Sequence, residues 1–321
     1  MWRSLTAPTA RFRLLCCSAI AVLAADAGYG SITIGTVTIG SPGNAADARV
    51  MNDGTSGYGS VGYVYAIGST EVTNAQYAAF LNAKAAADPY GLYSTNMAGS
   101  SGGIARSGSS GSYQYATVAG RADNPVNFVS FWDAARFVNW LHNGQGAGDT
   151  ETGAYTLGGV TNPANASVTR NLGWTWAIAS EDEWYKAAYF QPASAGGPAG
   201  DYWLFPTSGD SISNAQANYL GSGFGGTVPV GSYAPNFHGA LDMAGNLREW
   251  NDAIVNATLR GVRGGSFSSS SSALRATFRD SASPANGTSS TGFRVTHLPG
   301  PASLALLALG ALGARGRRRS A

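Results

Sequence analysis

The spacing of hydrophobic residues predicts three short helices, each preceded by a residue that can cap a helix N-terminus. The first begins after Thr73 and extends over residues 74–86, and the other two begin after Ser130 and Ser180. An acidic residue follows each of these two serines three positions later, which is the pattern of a capping box. The apolar residues of the three helical faces are Tyr77, Phe80 and Leu81, then Ala134, Phe137, Val138 and Leu141, then Trp184, Ala187 and Ala188.

The predicted strands are short and lie far apart in the chain. Runs of β-branched and aromatic residues predict strands at residues 32–39, 62–67, 260–267 and 293–296. Two long segments, residues 91–122 and 191–230, are predicted to be loops. Loops of this length inside a compact domain require a fold that stabilises long irregular segments.

The composition favours the same kind of fold. Glycine accounts for 44 of the 321 residues and charged residues for only 12%, which favours turns and ordered loops over long helices. Hydrophobic residues make up 44% of the chain, and this share is enough for a sizeable core. No linker divides the central part of the chain, so we predict one domain over residues 28–298.

Residues 1–27 have the pattern of a secretory signal peptide. Three arginines precede the apolar residues 14–25, and residues 25–27 (Ala-Asp-Ala) form a small-x-small cleavage site. We therefore expect export by the Sec pathway. Both cysteines of the chain, Cys16 and Cys17, lie in this segment. The mature protein is therefore predicted to form no disulfide and to offer no thiolate ligand.

Residues 299–321 have the pattern of a C-terminal sorting signal. A Pro-Gly-Pro triplet precedes the apolar residues 304–314, and an arginine-rich end follows at residues 315–319. The apolar stretch is too short to span a bilayer, which needs about 20 residues, and its positive end would stay inside. The segment resembles the PEP-CTERM signal of Gram-negative bacteria, with Pro-Gly-Pro in place of Pro-Glu-Pro. This resemblance implies an exosortase-type partner, a transient association with the inner membrane, and a destination in the periplasm, at the outer surface or in the extracellular matrix.

The charge of the central domain argues against a nucleic-acid partner. Seven of the 20 basic residues and one of the 18 acidic residues lie in the two terminal segments, which leaves 13 basic and 17 acidic residues. The central part therefore carries a formal charge of about −4, and it has no basic patch of the kind that binds nucleic acid.

A series of short motifs follows between residues 37 and 294. They are VTIGSP at 37–42, EVTNAQYAAFL at 71–81, NPVN at 124–127, WDAA at 132–135, ASEDEWYKAA at 179–188, MAGNLREW at 243–250, RGGSF at 263–267 and GFR at 292–294. In sequence and in order, these motifs resemble those of the formylglycine-generating enzyme, or sulfatase-modifying factor, domain family. The resemblance covers nearly all of residues 32–296. It implies an α+β fold of the C-type-lectin-like type, with little regular secondary structure and long ordered loops.

The resemblance also points to a copper site whose ligands are missing here. The oxidases of the family bind copper(I) through two cysteines shortly after the Gly-Gly-Ser strand, and copper(I) prefers soft thiolate ligands. In this chain Ser269 stands at the first cysteine position, and the second position falls among residues 271–274. We therefore expect neither copper as a cofactor nor formylglycine synthesis by that mechanism. The serines around this position are Ser266, Ser268, Ser269, Ser270 and Ser271.

These serines are not expected to act as nucleophiles. Activation of a hydroxyl needs a neighbouring base, and the three histidines, His142, His238 and His297, lie in no recognisable catalytic motif. We predict that the serine run is a flexible polar loop. His142 is predicted to end the second helix, where an imidazolium ion complements the helix dipole.

Calcium is the cofactor that the resemblance implies, because this hard ion takes oxygen ligands. One site would use the carboxylates of Asp242 and Glu249 with the carbonyls of Gly245 and Leu247. The alternative is that Asp242 and Glu249 only cap and salt-bridge a turn. The residues that match the other calcium site of the family are Asn218, Tyr219, Ser222 and Phe224, with Ser222 at the position of an aspartate.

Four arginines near the last motifs are predicted to be structural and to tie long loops by bidentate hydrogen bonds. Recognition of an anion at the surface is the alternative for this group. The four are Arg263, Arg275, Arg279 and Arg294.

Together these features predict an exported, calcium-supported module without catalytic activity, which binds an extracellular polysaccharide, peptide or protein. Two other functions stay open. One is an oxidoreductase with an altered metal site, since a fold alone does not settle function. The other is a matrix or structural role with no specific ligand.

Overall fold

The fold was analysed in a computed structural model that describes residues 31–298, so the predicted signal peptide and sorting signal lie outside the described residues. Within this range the chain forms three α-helices and ten short strands, joined by long irregular segments. The helices are α1 (Asn74–Lys84), α2 (Phe131–His142) and α3 (Glu181–Tyr189). The strands are β1 (Thr36–Ile39), β2 (Tyr65–Gly68), β3 (Ile104–Ser107), β4 (Gln114–Thr117), β5 (Trp176–Ile178), β6 (Arg248–Asn256), β7 (Leu259–Arg263), β8 (Asp280–Ala282), β9 (Thr291–Phe293) and β10 (Val295–His297). None of the helices in residues 31–298 has the length and apolar character needed to cross a membrane.

Two four-stranded sheets and one hairpin make up the β-structure. The first sheet has the order β1-β2-β10-β5 and is antiparallel throughout. The second has the order β8-β7-β6-β9, in which β6 and β9 pair in parallel and the other pairs are antiparallel. The single residue Arg294 separates β9 from β10, so it lies at the junction of the two sheets. This mixture of helices and sheets confirms the predicted α+β class.

All three helices begin at the predicted caps. The side chains of Thr73, Ser130 and Ser180 each accept a hydrogen bond from the backbone three residues later, and each of these boxes is closed by the returning side chain. Helix α1 ends at Lys84, two residues before the predicted end, and α2 ends at His142 as predicted. Local hydrogen bonding at the cap therefore determines where each helix starts.

Aromatic side chains of α1 and α2 pack against β9 in the main core. The ring of Phe137 lies 5.3 Å from those of Phe80 and Phe293, in edge-to-face contacts. Trp140 lies 5.3 Å from Phe80, and all four side chains are buried. A second apolar cluster surrounds α3 and includes Trp184. The two cores pack the helices against the two sheets. Arg294 lies at the junction of these sheets.

All four predicted strands have different bounds in the structure, and the strand predicted over residues 62–67 lies at Tyr65–Gly68. The strand predicted from residue 32 begins only at Thr36. The strand predicted over residues 260–267 ends at Arg263, because the two glycines that follow adopt φ angles of 92° and 66° and turn the chain. The strand predicted over residues 293–296 is divided between β9 and β10.

Four β-elements of the structure were not predicted, namely the β3–β4 hairpin and the strands β5, β6 and β8. The segment predicted as a loop over residues 91–122 contains the β3–β4 hairpin, so that prediction is wrong in part. Strand β6 was also missed, although its nine residues make it the longest of the described strands. It starts with Arg248 and Glu249, whose charges do not follow the pattern of a buried strand. The other predicted loop, residues 191–230, contains only a short 3-10 turn, Ala193–Ala195, and isolated β-bridges.

Candidate functional site

A polar cavity of about 210 Å³ lies beside the serine run, where the chain leaves β7. Ser266, Ser268 and Ser269 line one part of it. Arg248 of β6 and Asp280 of β8 line another part and form an ion pair of 3.2 Å. Ser269, the predicted counterpart of the family's first cysteine, is therefore next to a cavity whose polar groups are hydroxyls and paired charges.

The serine run is held by its own hydrogen bonds. The Ser266 amide donates to the Ser269 hydroxyl at 3.0 Å, and the Ser266 hydroxyl lies 3.1 Å from those of Ser268 and Ser269. Ser266 is buried, and Ser270 precedes a short 3-10 turn, Ser271–Leu274. Part of the predicted polar loop thus forms a short 3-10 turn, and hydroxyls of the run pair with one another and with the backbone.

None of the three histidines lines this cavity. His142 ends α2, and its Nδ1 lies 2.9 Å from the Thr175 hydroxyl. His238 packs against Phe190, and burial lowers its pKa to about 4, so its ring is neutral at ordinary pH. His297 lies in β10. The serines therefore have no histidine beside them that can take a proton from a hydroxyl.

The predicted structural arginines behave differently from one another. Arg279 forms a bidentate pair with Glu181 at 2.8 and 2.9 Å and also bonds Asp53 at 2.8 Å. Arg263 donates to the same Glu181 carboxylate at 2.9 Å. Arg275 is exposed, and its guanidinium lies 5.9 Å from the ring centre of Phe205. Glu181 at the start of α3 thus ties together β7 and the loop after the serine run, a role that sequence reasoning did not assign to it.

Arg294 is the most buried member of the group. Its guanidinium forms a bidentate pair with Glu249 of β6 at 2.6 and 2.7 Å, and neither side chain is exposed. It also donates to the carbonyls of Gly68 and Leu241, both at 2.9 Å. The Trp184 indole adds a hydrogen bond of 2.7 Å to Glu249. Arg294 therefore joins both sheets and the segment before β6 through charge-assisted hydrogen bonds.

The residues of the better-matched calcium site meet only in part. Asp242 and Gly245 lie in the turn before β6, whereas the carboxylate of Glu249 is engaged by Arg294 and Trp184. Asp242 accepts a hydrogen bond from the Gly231 amide through Oδ2, while its buried Oδ1 has no hydrogen-bond partner within residues 31–298. Leu247 is the residue directly before β6. The alternative of a capped and salt-bridged turn accounts for Glu249, but it leaves one oxygen of Asp242 unexplained.

Glu71 adds two more buried oxygens to this region. It precedes the cap of α1, is 1% exposed, and neither of its carboxylate oxygens has a hydrogen-bond partner in the described residues. The Leu241 amide bonds the Ser69 carbonyl at 2.8 Å, which brings the two segments together. Burial, and then the charges of Asp242 and Glu249, raises the pKa of Glu71 well above its usual range. The sequence signal that could have identified Glu71 is its place as the first residue of the EVTNAQYAAFL motif at 71–81.

These unpaired oxygens fit a hard cation better than Glu249 does. In the described residues no three Asp, Glu, His or Cys side chains form a group that can hold a metal ion. A calcium ion at Asp242 would therefore take much of its coordination from backbone carbonyls, as calcium often does. The fit rests on Asp242 Oδ1, and the Glu71 carboxyl group is close enough to interact electrostatically with Asp242.

At the weaker calcium site a hydroxyl replaces the expected carboxylate. The Ser222 hydroxyl donates to the side-chain oxygen of Asn218 at 2.7 Å. The amide nitrogen of Asn218 donates to the Gly226 carbonyl at 2.9 Å. Tyr219 is half-buried, and Phe224 is exposed. The oxygen of Asn218 that would face a cation thus already accepts a hydrogen bond from the residue that replaced the aspartate.

Comparisons with known proteins identify the family and the fold. A family model described as "Sulfatase-modifying factor enzyme 1-like domain" matches residues 32–298. The crystal structure of CarF is similar, with a TM-score of 0.57 and 23% identity over 83% of this chain and 99% of that one. Treponema denticola variable protein 1 is similar as well, with a TM-score of 0.57 and 20% identity over 84% of this chain and 97% of that one. At these identities the two structures show the fold alone. The comparison with curated proteins found no match.

Proposed function

The chain belongs to the sulfatase-modifying factor enzyme 1-like domain family, and on that premise we propose that it is an exported binding module and not a copper oxidase. The observation that carries this proposal is Ser269, which stands at the first cysteine position and has its hydroxyl hydrogen-bonded to the Ser266 amide. The only cysteines of the chain, Cys16 and Cys17, lie in the proposed signal peptide. Copper(I) would find no thiolate beside the cavity.

Calcium takes the role of a structural ion in this proposal. The unpaired oxygen of Asp242 is a hard ligand next to the turn that leads into β6. An ion there would neutralise buried negative charge and stabilise a segment with little regular structure. The ligand of the module would be an extracellular polysaccharide, peptide or protein. Sec export, exosortase-type sorting and transient membrane association through residues 299–321 complete the proposal.

The metal content of the processed protein, purified from the periplasm, tests the proposal. We expect bound calcium and no stoichiometric copper or iron. The Asp242→Asn variant should lose calcium because it removes the charge of the unpaired oxygen, while Asp210→Asn, a change at an exposed loop residue, should retain it. Stoichiometric copper or iron together with oxygen uptake would instead support an oxidoreductase with an altered site.

A further inference from the structure

A second cavity, of about 500 Å³, lies between the start of α2 and three loops. We propose that it binds one sugar unit of a neutral polysaccharide, which specifies a ligand class for the binding module proposed above. The cavity is distinct from the serine cavity and shares no lining residue with it. Its lining includes Tyr90, Phe128, Ser130, Asp133, Asn162 and Asn286.

One wall is built around a strained aromatic residue. Phe128 has a φ of 59°, a left-handed conformation that is costly for a bulky side chain. Its amide donates to the Thr288 carbonyl at 2.9 Å. Gly287 packs so closely that a Cβ atom there would lie 2.3 Å from the Phe128 carbonyl group. These contacts hold Phe128 and the loop that carries Gly287 in place, and a residue with a Cβ atom at position 287 would collide with the Phe128 carbonyl group.

A second aromatic ring is fixed by a buried ion pair. The guanidinium of Arg136 lies 4.3 Å from the ring centre of Tyr90 and forms a bidentate pair with Glu151 at 2.7 and 3.0 Å. It also donates to the Val160 carbonyl at 2.8 Å, next to the loop that carries Thr161. The positive charge of Arg136 is therefore paired with Glu151. What this cluster contributes to the cavity is the ring of Tyr90, held in place by the guanidinium.

The polar groups of the cavity favour a neutral ligand. Asp133 is the one carboxylate in the lining, and no Lys, Arg or His side chain accompanies it. Its Oδ2 accepts from the Ser130 amide at 3.0 Å and the Ser130 hydroxyl at 2.6 Å. The Asp133 carboxylate therefore already complements the positive N-terminal end of the α2 dipole, so this end of the helix does not select an anionic ligand. An anionic sugar would meet the carboxylate of Asp133 and no cationic side chain in the lining.

The other polar side chains are hydroxyls and amides, which both donate and accept hydrogen bonds. Ser94, Thr161, Asn162, Asn286 and Thr288 belong to this set. Sugar hydroxyls need partners of both kinds, and the apolar face of a sugar ring can pack on an aromatic ring. An apolar peptide side chain would need a mostly apolar pocket, which this lining does not provide.

Retention of the purified protein on immobilised neutral polysaccharides (a glucan, a galactan and a mannan) tests this assignment, with polygalacturonate as the anionic comparison. We expect binding to at least one neutral polymer and none to polygalacturonate. The double variant Asn162→Ala/Asn286→Ala should weaken binding about tenfold, because alanine cannot form the hydrogen bonds that the two side-chain amides make with the sugar. Both side chains are exposed, so folding should not suffer, and Asn96→Ala is the matched exposed control.

Each other outcome has a definite meaning. Neutral-polymer binding that survives the double variant unchanged overturns this site while the binding-module proposal stands. Binding of a peptide library that the double variant abolishes, without any polysaccharide binding, overturns the sugar assignment in favour of a peptide. Stronger binding to polygalacturonate than to the neutral polymers overturns the argument from charge. No retention on any polymer or peptide overturns the sugar assignment and leaves a protein as the ligand of the binding module.

Discussion

Replacing Arg294 with methionine is expected to destabilise the domain by about 3–5 kcal/mol, because removing one partner of a buried ion pair leaves the other charge uncompensated. Glu249 would lose both bonds to the guanidinium, at 2.6 and 2.7 Å, in a position that has no exposure to water. The carboxyl groups of Glu71 and Asp242 lie in the same region, and burial raises the pKa of both. The free energy of unfolding, measured by denaturant titration with circular dichroism, provides the test.

The exposed Arg275 is the matched control. Its methionine variant should change the free energy of unfolding by less than about 0.5 kcal/mol, as surface changes usually do. The double variant Arg294→Met/Glu249→Leu should recover part of the loss, since both charges of the pair are then absent. A stability of Arg294→Met within 1 kcal/mol of the original protein (roughly the scatter of ordinary substitutions) would show that Arg294 does not hold the two sheets together electrostatically.

Gly245→Ala is expected to cost about 2–5 kcal/mol, the sum of two separate penalties. Gly245 has a φ of 75°, and a residue with a Cβ atom loses about 1–2 kcal/mol in this region. The added Cβ would also lie 2.1 Å from the Asn218 carbonyl oxygen, and such overpacking adds about 1–3 kcal/mol. Thermal unfolding and denaturant titration both measure the effect.

Gly223→Ala separates the two penalties. Gly223 has a φ of 88°, and nothing lies within 4 Å of the position where its Cβ would stand. This variant should therefore show only the conformational cost of about 1–2 kcal/mol. Equal losses in the two variants would mean that the approach of Asn218 to the turn at Gly245 does not matter for stability. The contact with Asn218 would then not explain why the MAGNLREW motif has a glycine at position 245.

The parts of the fold that depend on local chemistry could be predicted from the sequence. The caps at Thr73, Ser130 and Ser180 need only residues a few positions away, and all three formed where expected. Strand β6 could not be found in this way. Its Arg248 and Glu249 are paired with Asp280 and Arg294, which lie 32 and 45 residues away, so no local hydrophobic pattern marks it.

The candidate site divides in the same manner. The serine at the position of the lost cysteine follows from the motif order, as does the nearness of Asp242 to the turn before β6. The unpaired oxygens of Glu71 became visible only in three dimensions, because they depend on which neighbours fail to reach them. The larger cavity joins residues from four separate segments between Tyr90 and Thr288, and no short motif encodes that arrangement.

We propose that the protein has no copper-dependent oxidase activity, and one assay measures this activity directly. The purified protein is incubated with copper(I), oxygen, a reductant and a cysteine-bearing sulfatase peptide, and the mass of the peptide is followed over time. We predict that the cysteine remains unchanged, because Ser269 and its neighbours supply no thiolate to hold the metal. Conversion of the cysteine to the aldehyde at a rate proportional to the protein concentration would contradict the account.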